Sequence, residues 1–364
     1  MTADTIGGVW QYAVDLARGL GEYGVDVTLA TLGGEPSAAQ RSEASQIPSL
    51  SLRTSSFALE WMPDSADAVH ESGRWLLELE REIEPDIVHV NGLCHGSLRC
   101  AAPVVAVAHS CVLSWWESVR STPVPPEWDR YRREATRGLN AADRVIAPSR
   151  SMAASIERLY GLTSVGVVPN GRNRTAGFSG GAEKSPFVLG AGRLWDEAKN
   201  LSTLDSACHD LEWPLYLAGP GAGPFHTVFE PRNGVALGAL PPAELAAWMR
   251  RAEIYALPAK YEPFGLSVLE AGLCGCALVL GDIPSLRENW EDAALFVPPG
   301  DAGYVRHALQ ALIASPDLRA GLGSRARARA AHFTIDRMAS AYLDAYAQLL
   351  DPAGETTTRL SADA

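Results

Sequence analysis

The chain has 364 residues, of which 47% are hydrophobic and 20% charged, and its formal net charge at pH 7 is -12. This length predicts a globular protein with two domains, because it exceeds what one ordinary hydrophobic core holds. The acidic balance argues against a nucleic-acid partner, and no apolar stretch is long enough for a transmembrane segment.

The first half of the chain alternates predicted helices and strands. The predicted helices cover residues 9–21, 67–83, 127–141 and 149–160, and the predicted strands cover residues 25–32, 86–91, 104–109, 144–148 and 164–169. This alternation predicts an α/β fold, with a parallel sheet covered by helices on both faces. His109 follows a predicted strand directly. Because such sheets bind ligands beyond the carboxyl ends of their strands, His109 is a candidate site residue, although a polar loop role explains it equally well.

One strand is missing from this prediction. The first helix begins at the Gly7-Gly8 loop, and a strand normally precedes such a loop. Only six residues precede Gly7 in this sequence. The first strand of a doubly wound sheet is usually central. Either the domain has lost that strand or the true start lies upstream; we favour the second alternative, which an intact-mass measurement of the natural protein tests.

Residues 170–186 have the polar, glycine-rich composition of a linker, and the alternating pattern then restarts. We predict an N-terminal Rossmann-like domain over residues 1–172, a linker over 173–186 and a C-terminal Rossmann-like domain over 187–333. A final amphipathic helix over 334–350 and a disordered tail over 351–364 complete the chain. The six cysteines form no C-x-x-C pair, and the N-terminus does not have the pattern of a signal peptide, so we expect reduced thiols and a cytoplasmic protein.

Residues 254–276 combine a buried strand, a short loop and an apolar helix that begins at Gly265. Glu270 is the one charged residue of that helix, and a buried carboxylate requires a partner. Glu262 lies just ahead of the helix start, whose unpaired amides and positive dipole end suit phosphate. Two carboxylates that flank an anion site fit a nucleotide-sugar.

Further cations follow the strand at residues 187–193. Arg193 ends that strand, and Lys199 stands at the start of the next helix, where both could neutralise a diphosphate. The Gly-Ala-Gly at 190–192 is a weak dinucleotide fingerprint, since it lacks a third glycine. No D-x-D triplet occurs, so we predict a reaction without a metal ion or other cofactor.

These segments together resemble the family-4 retaining glycosyltransferases, which have the GT-B fold. Residues 262–270, Glu-Pro-Phe-Gly-Leu-Ser-Val-Leu-Glu, are similar to that family's E-x7-E signature. Residues 191–201 resemble its phosphate-binding segment, and residues 168–171 resemble the segment that closes its first domain. The resemblance implies two Rossmann-like domains that face a central cleft, with the C-terminal helix crossing back to the first domain.

The resemblance also implies roles for individual residues. Glu262 would bond the donor sugar, Glu270 the ribose, and His109 the sugar near the reacting carbon. Arg193 and Lys199 would neutralise the diphosphate, and the Gly8 backbone N–H would approach the same phosphates or the acceptor. Phe264, Gly265 and Leu266 would complete the donor site at the helix start. The implied activity is metal-independent, retaining transfer of a hexosyl unit from a nucleotide diphosphate-sugar.

Simpler explanations exist for several of these residues. Arg193 and Lys199 could be surface charges, and Glu262 could cap its helix. Arg130, Arg132, Arg133 and Arg137 on one helix, and Arg319, Arg325, Arg327 and Arg329 on another, are expected to be solvated faces; the first set could instead anchor a phosphorylated or lipid-linked acceptor. Residues 33–65 and 111–126, with Trp61, Trp115 and Trp116, are candidate acceptor walls, although core burial explains each tryptophan equally well.

Two alternative functions share the predicted fold. A nucleotide-sugar epimerase would alter the donor without any acceptor, and a non-catalytic binding protein would hold the donor without turnover. The acceptor is unidentified: it could be a sugar, a lipid-linked molecule or a small molecule. The sequence does not specify the nucleotide base, the donor sugar or the oligomeric state.

Overall fold

The computed structural model describes residues 1–62, 65–120, 122–173, 177–178, 183–223 and 227–351. The chain divides into two compact units. The first unit comprises Met1–Ser114, Pro123–Gly171 and Ile335–Ala364, and the second comprises Trp115–Thr122 and Arg172–Thr334. The assignment of Trp115–Thr122 to the second unit was not predicted from the sequence.

The first unit is an α/β unit whose strands pair in parallel. Its strands are β1 (Thr2–Asp4), β2 (Val27–Leu32), β3 (Leu50–Thr54), β4 (Val88–Val90), β5 (Val104–Val107), β6 (Arg144–Ala147) and β7 (Gly166–Val167), paired in the orders β1-β2-β3 and β4-β5-β6-β7. The helices are α1 (Gly8–Gly21), α2 (Ala38–Ser45), α3 (Ala66–Ile83), α4 (Val112–Val119), α5 (Asp129–Ala141) and α6 (Arg150–Tyr160). Helix α4 begins in this unit and ends in the second.

The expectation that the first strand is missing was wrong. Strand β1 pairs in parallel with β2, with Thr2 opposite Ala30. On its other side, the backbone N–H of Asn91, just after β4, donates to Thr2 Oγ1 over 2.8 Å. Strand β1 therefore lies between β2 and β4, in the central place that the fold requires. Its three residues contain one buried apolar side chain, Ala3, which is too little to produce a periodic pattern.

The second unit has a six-stranded parallel sheet in the order β10-β9-β8-β11-β12-β13. Its strands are β8 (Ser185–Ala191), β9 (Leu215–Ala218), β10 (Val235–Gly238), β11 (Ala252–Leu257), β12 (Ala277–Gly281) and β13 (Ala294–Val297). Its helices are α7 (Leu201–Ala207), α8 (Pro242–Arg251), α9 (Leu266–Leu273), α10 (Pro284–Trp290), α11 (Ala302–Ala314) and α12 (Pro316–Ala330). The strand order runs outward in both directions from β8 and β11. Open α/β sheets bind ligands at such a switch point, beyond the carboxyl ends of the two strands.

The last helix, α13 (Ile335–Leu350), belongs to the first unit, as the family resemblance implies. It packs against α1 at Gly19, where a Cβ atom would lie 2.6 Å from Ile335 Cγ2 and 2.8 Å from Ala339 Cβ. Glycine at position 19 thus permits the close approach of the two helices.

Several predicted boundaries differ from the structure. Helices α2, α4 and α10 and strand β3 were not predicted. Part of the predicted linker is structured: Ser185 and Pro186 begin β8, and Phe178 is buried in the core of the second unit. Residues 174–176 and 179–182 of that linker, and residues 352–364 of the predicted tail, lie outside the described residues.

Candidate active site

The E-x7-E segment follows β11 at the switch point of the second unit. Both carboxylates are buried: Glu262 and Glu270 are each 8% exposed. Between them, Gly265 adopts a left-handed conformation with φ of 93°, which favours glycine, and α9 begins at the next residue. No side chain caps the start of α9 among the described residues. The buried acid and the open helix start that the sequence predicts are therefore present.

The structure brings Lys199 and Glu262 together. The Lys199 ammonium lies 2.5 Å from Glu262 Oε2, and both side chains are largely buried. Lys199 comes from the loop after β8 and Glu262 from the loop after β11, so the pair joins the ends of the two central strands. The sequence predicts separate roles for these residues, on diphosphate and on sugar, and their contact was not foreseen.

Arg193 is held by an acid that the sequence analysis missed. Its guanidinium lies 2.6 Å from Asp196 Oδ2, and Asp196 Oδ1 also accepts from the Ala198 backbone N–H over 3.0 Å. Burial alone would raise the pKa of Asp196, but the charges of Arg193 and Lys199 hold that pKa below its usual range. The i, i+3 spacing of Arg193 and Asp196 in the sequence could have indicated this ion pair.

Asn200 fixes the loop that carries these cations. It adopts a left-handed conformation with φ of 55°. Its side-chain amide donates to the carbonyl oxygens of Pro258 and Pro299 over 2.8 Å and 2.5 Å. Because Pro258 directly follows β11, Asn200 ties the β8 loop to the β11 loop and holds Lys199 beside Glu262.

The remaining predicted donor residues of the second unit surround the start of α9. Phe264 is buried against Phe333, with the two ring centroids 5.5 Å apart, and Leu266 is half-buried. The Ser285 hydroxyl donates to the Glu262 carbonyl over 2.5 Å. The Phe264 side chain is therefore part of the core, and a donor contact at this position would involve its backbone.

Glu270 has a partner that the sequence analysis did not identify. The Arg172 guanidinium lies 2.6 Å from Glu270 Oε1, and the two side chains are 5% and 10% exposed. Arg172 directly follows the Asn170-Gly171 pair, in a stretch whose composition predicts a linker. The buried carboxylate thus has the counter-charge that its burial requires.

The two predicted residues of the first unit lie near the carboxyl ends of β1 and β5. Gly8 is exposed at the first position of α1, and Asp4 Oδ1 accepts from the Gly7 backbone N–H over 2.8 Å, which shapes the loop before the helix. His109 is half-buried: its Nε2 atom lies 2.8 Å from Asn91 Oδ1, and its ring centroid is 4.2 Å from that of Tyr12. Burial lowers the pKa of His109 to about 3, so its ring is neutral at pH 7.

Two of the candidate acceptor tryptophans lie beside the cationic loop within the second unit. Trp115 Nε1 lies 3.4 Å from Asp196 Oδ1, and the Arg120 guanidinium covers the rings of Trp115 and Trp116. Arg120 also pairs with Glu197 over 2.8 Å. Trp61 is half-buried in the first unit. Residues 63–64 and 121 of the candidate acceptor walls lie outside the described residues.

The two arginine sets differ. The four arginines of α5 are exposed, as expected. The expectation for α12 was wrong at Arg319, whose side chain is 10% exposed and pairs with Glu253 over 3.2 Å. Its guanidinium also lies 4.7 Å from the centroid of the Trp213 ring. Arg319 therefore packs α12 onto the second unit and does not form part of a solvated face.

The described residues contain no group of three or more His, Cys, Asp or Glu side chains that could hold a metal ion. In the same part of the chain, no helix has both the length and the apolar character needed to cross a bilayer.

Two α/β units with parallel sheets, one of which carries paired cations and carboxylates at its switch point, have the architecture of the GT-B glycosyltransferases. Residues 6–175 match the model of Glycosyltransferase Family 4, and residues 174–329 match the model of Glycosyl transferases group 1. The chain belongs to glycosyltransferase family 4. It is an enzyme, a nucleotide-sugar-dependent glycosyltransferase, and the epimerase and non-catalytic alternatives are not favoured.

Named relatives support this assignment. A D-inositol 3-phosphate glycosyltransferase of Xylanimonas cellulosilytica is 30% identical over 301 residues, which are 72% of each chain. A protein of the same description from Streptomyces bingchenggensis is 33% identical over 109 residues, 29% of this chain and 24% of its own length.

Solved structures share the fold. Sucrose-phosphate synthase of Thermosynechococcus elongatus superposes with a TM-score of 0.79 at 20% identity, covering 97% of this chain and 99% of that one. The Anabaena protein HepE in complex with UDP-glucose superposes with a TM-score of 0.70 at 17% identity, covering 95% and 99%. At these identities the likeness concerns the fold.

Proposed function

We propose that the chain transfers a hexosyl unit from a nucleotide diphosphate-sugar to an acceptor hydroxyl, with retention of the anomeric configuration and without a metal ion. The observation that carries this proposal is the Lys199–Glu262 contact of 2.5 Å at the switch point of the second unit. Lys199 is a cation suited to phosphate, and Glu262 is a carboxylate suited to sugar hydroxyls. Their adjacent positions match the adjacent diphosphate and sugar of a nucleotide diphosphate-sugar.

The cations would serve the leaving group. As the bond from the sugar carbon to the diphosphate breaks, negative charge grows on the departing oxygen. Arg193, Lys199 and the uncapped amides at the start of α9 offer positive charge that is fixed in advance. Arg193 is held by Asp196 over 2.6 Å, and Lys199 by Glu262, so little reorganisation is needed when the diphosphate arrives. These charges could supply the stabilisation that a metal ion gives elsewhere.

The carboxylates would position the donor. Glu262 would accept hydrogen bonds from hydroxyls of the hexose, and Glu270 from those of the ribose. His109 would contact the sugar near the reacting carbon, and the Gly8 backbone would approach the phosphates. We propose a same-face displacement: the bond to the acceptor oxygen forms as the bond to phosphate breaks, and the acceptor proton passes to the departing phosphate oxygen.

The acceptor class is suggested by the relatives. The Xylanimonas cellulosilytica protein carries the description D-inositol 3-phosphate glycosyltransferase. We therefore place a phosphorylated polyol first among the possible acceptors, ahead of unphosphorylated sugars and lipid-linked molecules. We also propose a cytoplasmic location, which the six free cysteines support, because cytosolic proteins keep their thiols reduced.

The first experiment is a thermal-shift screen over UDP-, GDP- and ADP-hexoses, since a ligand that binds the folded state raises stability by mass action. The donor that gives the largest shift is then incubated with inositol 3-phosphate, free sugars and lipid-linked acceptors, with and without EDTA. We expect transfer that EDTA leaves unchanged and a product with the donor's anomeric configuration by NMR. An inverted product or loss of activity in EDTA contradicts the mechanism, and release of an altered sugar without acceptor favours an epimerase.

A further inference from the structure

A hydrogen-bond network surrounds His109 in the first unit. It joins Thr2, at the start of β1, and the carboxyl ends of β4 and β5 to α1 and α13. Its members are Thr2, Tyr12, His89, Asn91, His109 and Tyr346. His109 is the residue of this group that the family resemblance places at the donor sugar.

The orientation of the Asn91 side chain is fixed by Thr2. The Asn91 Nδ2 atom lies 2.6 Å from the Thr2 carbonyl oxygen, which can only accept a hydrogen bond. The amide nitrogen must therefore face Thr2, and the Asn91 backbone N–H adds a second bond, to Thr2 Oγ1 over 2.8 Å. As a result, Asn91 Oδ1 points in the other direction, towards the two histidines.

The fixed amide oxygen determines where His109 carries its proton. Asn91 Oδ1 lies 2.8 Å from His109 Nε2 and can only accept, so Nε2 must be the protonated nitrogen. The ring is neutral at pH 7, because burial lowers its pKa to about 3. A neutral imidazole has one N–H, so Nδ1 keeps its lone pair, and no partner of Nδ1 lies among the described residues.

His89 extends the same arrangement to the C-terminal helix. Its Nε2 atom lies 3.2 Å from the same Asn91 oxygen, and its Nδ1 atom lies 2.6 Å from the Tyr346 hydroxyl on α13. With Nε2 protonated towards Asn91, Nδ1 accepts the hydrogen of Tyr346. Each contact then has one hydrogen, and no two lone pairs face each other.

We propose that Asn91 is a positioning residue that holds His109 as the Nε2–H tautomer, so that His109 Nδ1 accepts a hydrogen bond from a hydroxyl of the donor sugar. In this arrangement His109 does not supply a proton to the reaction. Tyr346 and His89 support the same tautomer from α13. The second half of this inference rests on the proposed function, whereas the tautomer itself does not.

The tautomer can be measured without any substrate. The protein is labelled with 15N-histidine, and the long-range 1H–15N correlations of His109 are assigned with a His109→Gln variant. We expect the pattern of an Nε2-protonated ring at pH 7. A ring protonated on Nδ1, or a doubly protonated ring, overturns the proposal.

Variants test the role of the amide. In Asn91→Leu the fixed acceptor is lost, so we expect mixed tautomers of His109. We also expect a fall in kcat/KM of about 10- to 100-fold, the range found when the orienting partner of a metal-binding histidine is removed. In Tyr346→Phe the shape is kept and one hydroxyl is removed, so we expect changed His89 resonances and a smaller loss of activity. Tyr23→Phe removes the hydroxyl of an exposed tyrosine, 53% exposed, and should change neither readout.

The outcomes separate this inference from the proposed function. If His109 is Nε2-protonated but its signals stay unchanged when a donor binds, the tautomer stands and the sugar contact fails. If Asn91→Leu folds, as judged by circular dichroism, and keeps wild-type tautomer and kcat/KM, the role of Asn91 is refuted. If Asn91→Leu does not fold, the wild-type tautomer measurement decides alone.

Discussion

The guanidinium of Arg172 lies 2.6 Å from a carboxylate oxygen of Glu270, and both side chains are buried. Arg172 is also the residue at which the chain returns to the second unit. Its backbone N–H donates over 3.0 Å to the carbonyl of Phe333, next to Thr334, the last residue of that unit. Phe333 packs edge-on against Phe264 in the E-x7-E segment. Helix α9, which is expected to bind the nucleotide, therefore contacts Arg172 through Glu270. The residues just before α9 contact Phe333 through Phe264.

Removing one partner of the Arg172–Glu270 pair should destabilise the protein strongly. Arg172→Met takes the cation away from a buried carboxylate, and breaking such a pair costs about 3–5 kcal/mol. Glu270→Gln keeps the shape of the side chain but removes its charge, and should also lower stability. The free energy of unfolding from urea denaturation at constant pH is the measurement.

The double variant Arg172→Met/Glu270→Gln serves as the control for that experiment. The effects of mutations at residues in contact are not additive. The double variant should therefore lose less free energy of unfolding than the two single variants lose together. Additive losses contradict a direct interaction between the two charges.

Lys199→Ala should lower kcat/KM by about 10²–10³-fold, because removing one group that stabilises a developing oxyanion has that effect. The KM for the donor should change less than kcat if Lys199 acts mainly on the leaving diphosphate. Arg251→Ala, which removes an exposed cation at the end of α8, is the matched control and should keep full activity. Wild-type rates for Lys199→Ala exclude it from the diphosphate site.

Gly219→Ala should displace the loop after β8, which carries Arg193 and Lys199, although Gly219 itself lies in the loop after β9. A Cβ atom at Gly219, whose φ is +139°, would lie 1.7 Å from the Gly192 carbonyl oxygen, so the loops after β8 and β9 must separate. Such overpacking costs about 1–3 kcal/mol, and the unfavourable backbone conformation adds a similar amount. We expect a lower Tm in thermal unfolding and a weaker affinity for the donor.

Gly300→Ala is the comparison for Gly219→Ala. A Cβ atom at Gly300 meets nothing within 4 Å, so this variant should behave as the wild type. Equal behaviour of the two variants shows that the contact between Gly219 and Gly192 does not matter.

Acidification should destabilise the protein between pH 6.5 and about 3. Burial lowers the pKa of His89 and of His109 to about 3 and that of His95 to about 4, all below the value of about 6.5 in an unfolded chain. The unfolded state therefore binds more protons in this window, and the stability present above pH 6.5 is lost as the pH falls. Each group contributes a slope of up to about 1.4 kcal/mol per pH unit.

Urea denaturation at pH 7, 6 and 5 measures this dependence. Burial raises the pKa of Glu60, which opposes the effect at the acidic end of the window. Replacing His95 with Gln should make the slope shallower. A free energy of unfolding that does not change from pH 7 to pH 5 contradicts the buried neutral state of these histidines.

The amino-acid sequence by itself determined the two α/β units, the strand–loop–helix around Glu262 and Glu270, and the burial of Glu270. These features are local, because hydrophobic periodicity and glycine positions report the conformation and burial of neighbouring residues. The short strand β1 was not predicted, because three residues do not establish a hydrophobic period.

Only the tertiary structure decided which side chains meet. Lys199 and Glu262 are 63 residues apart in the chain, and His89 and Tyr346 are 257 apart. Arg172 is similarly distant from Glu270, and Asn91 receives its orientation from Thr2. Local patterns carry no information on such pairs, since contacts between distant residues are set by strand order and by the packing of helices on the sheet. The sequence therefore proposed the candidate site residues, and the fold assigned their partners.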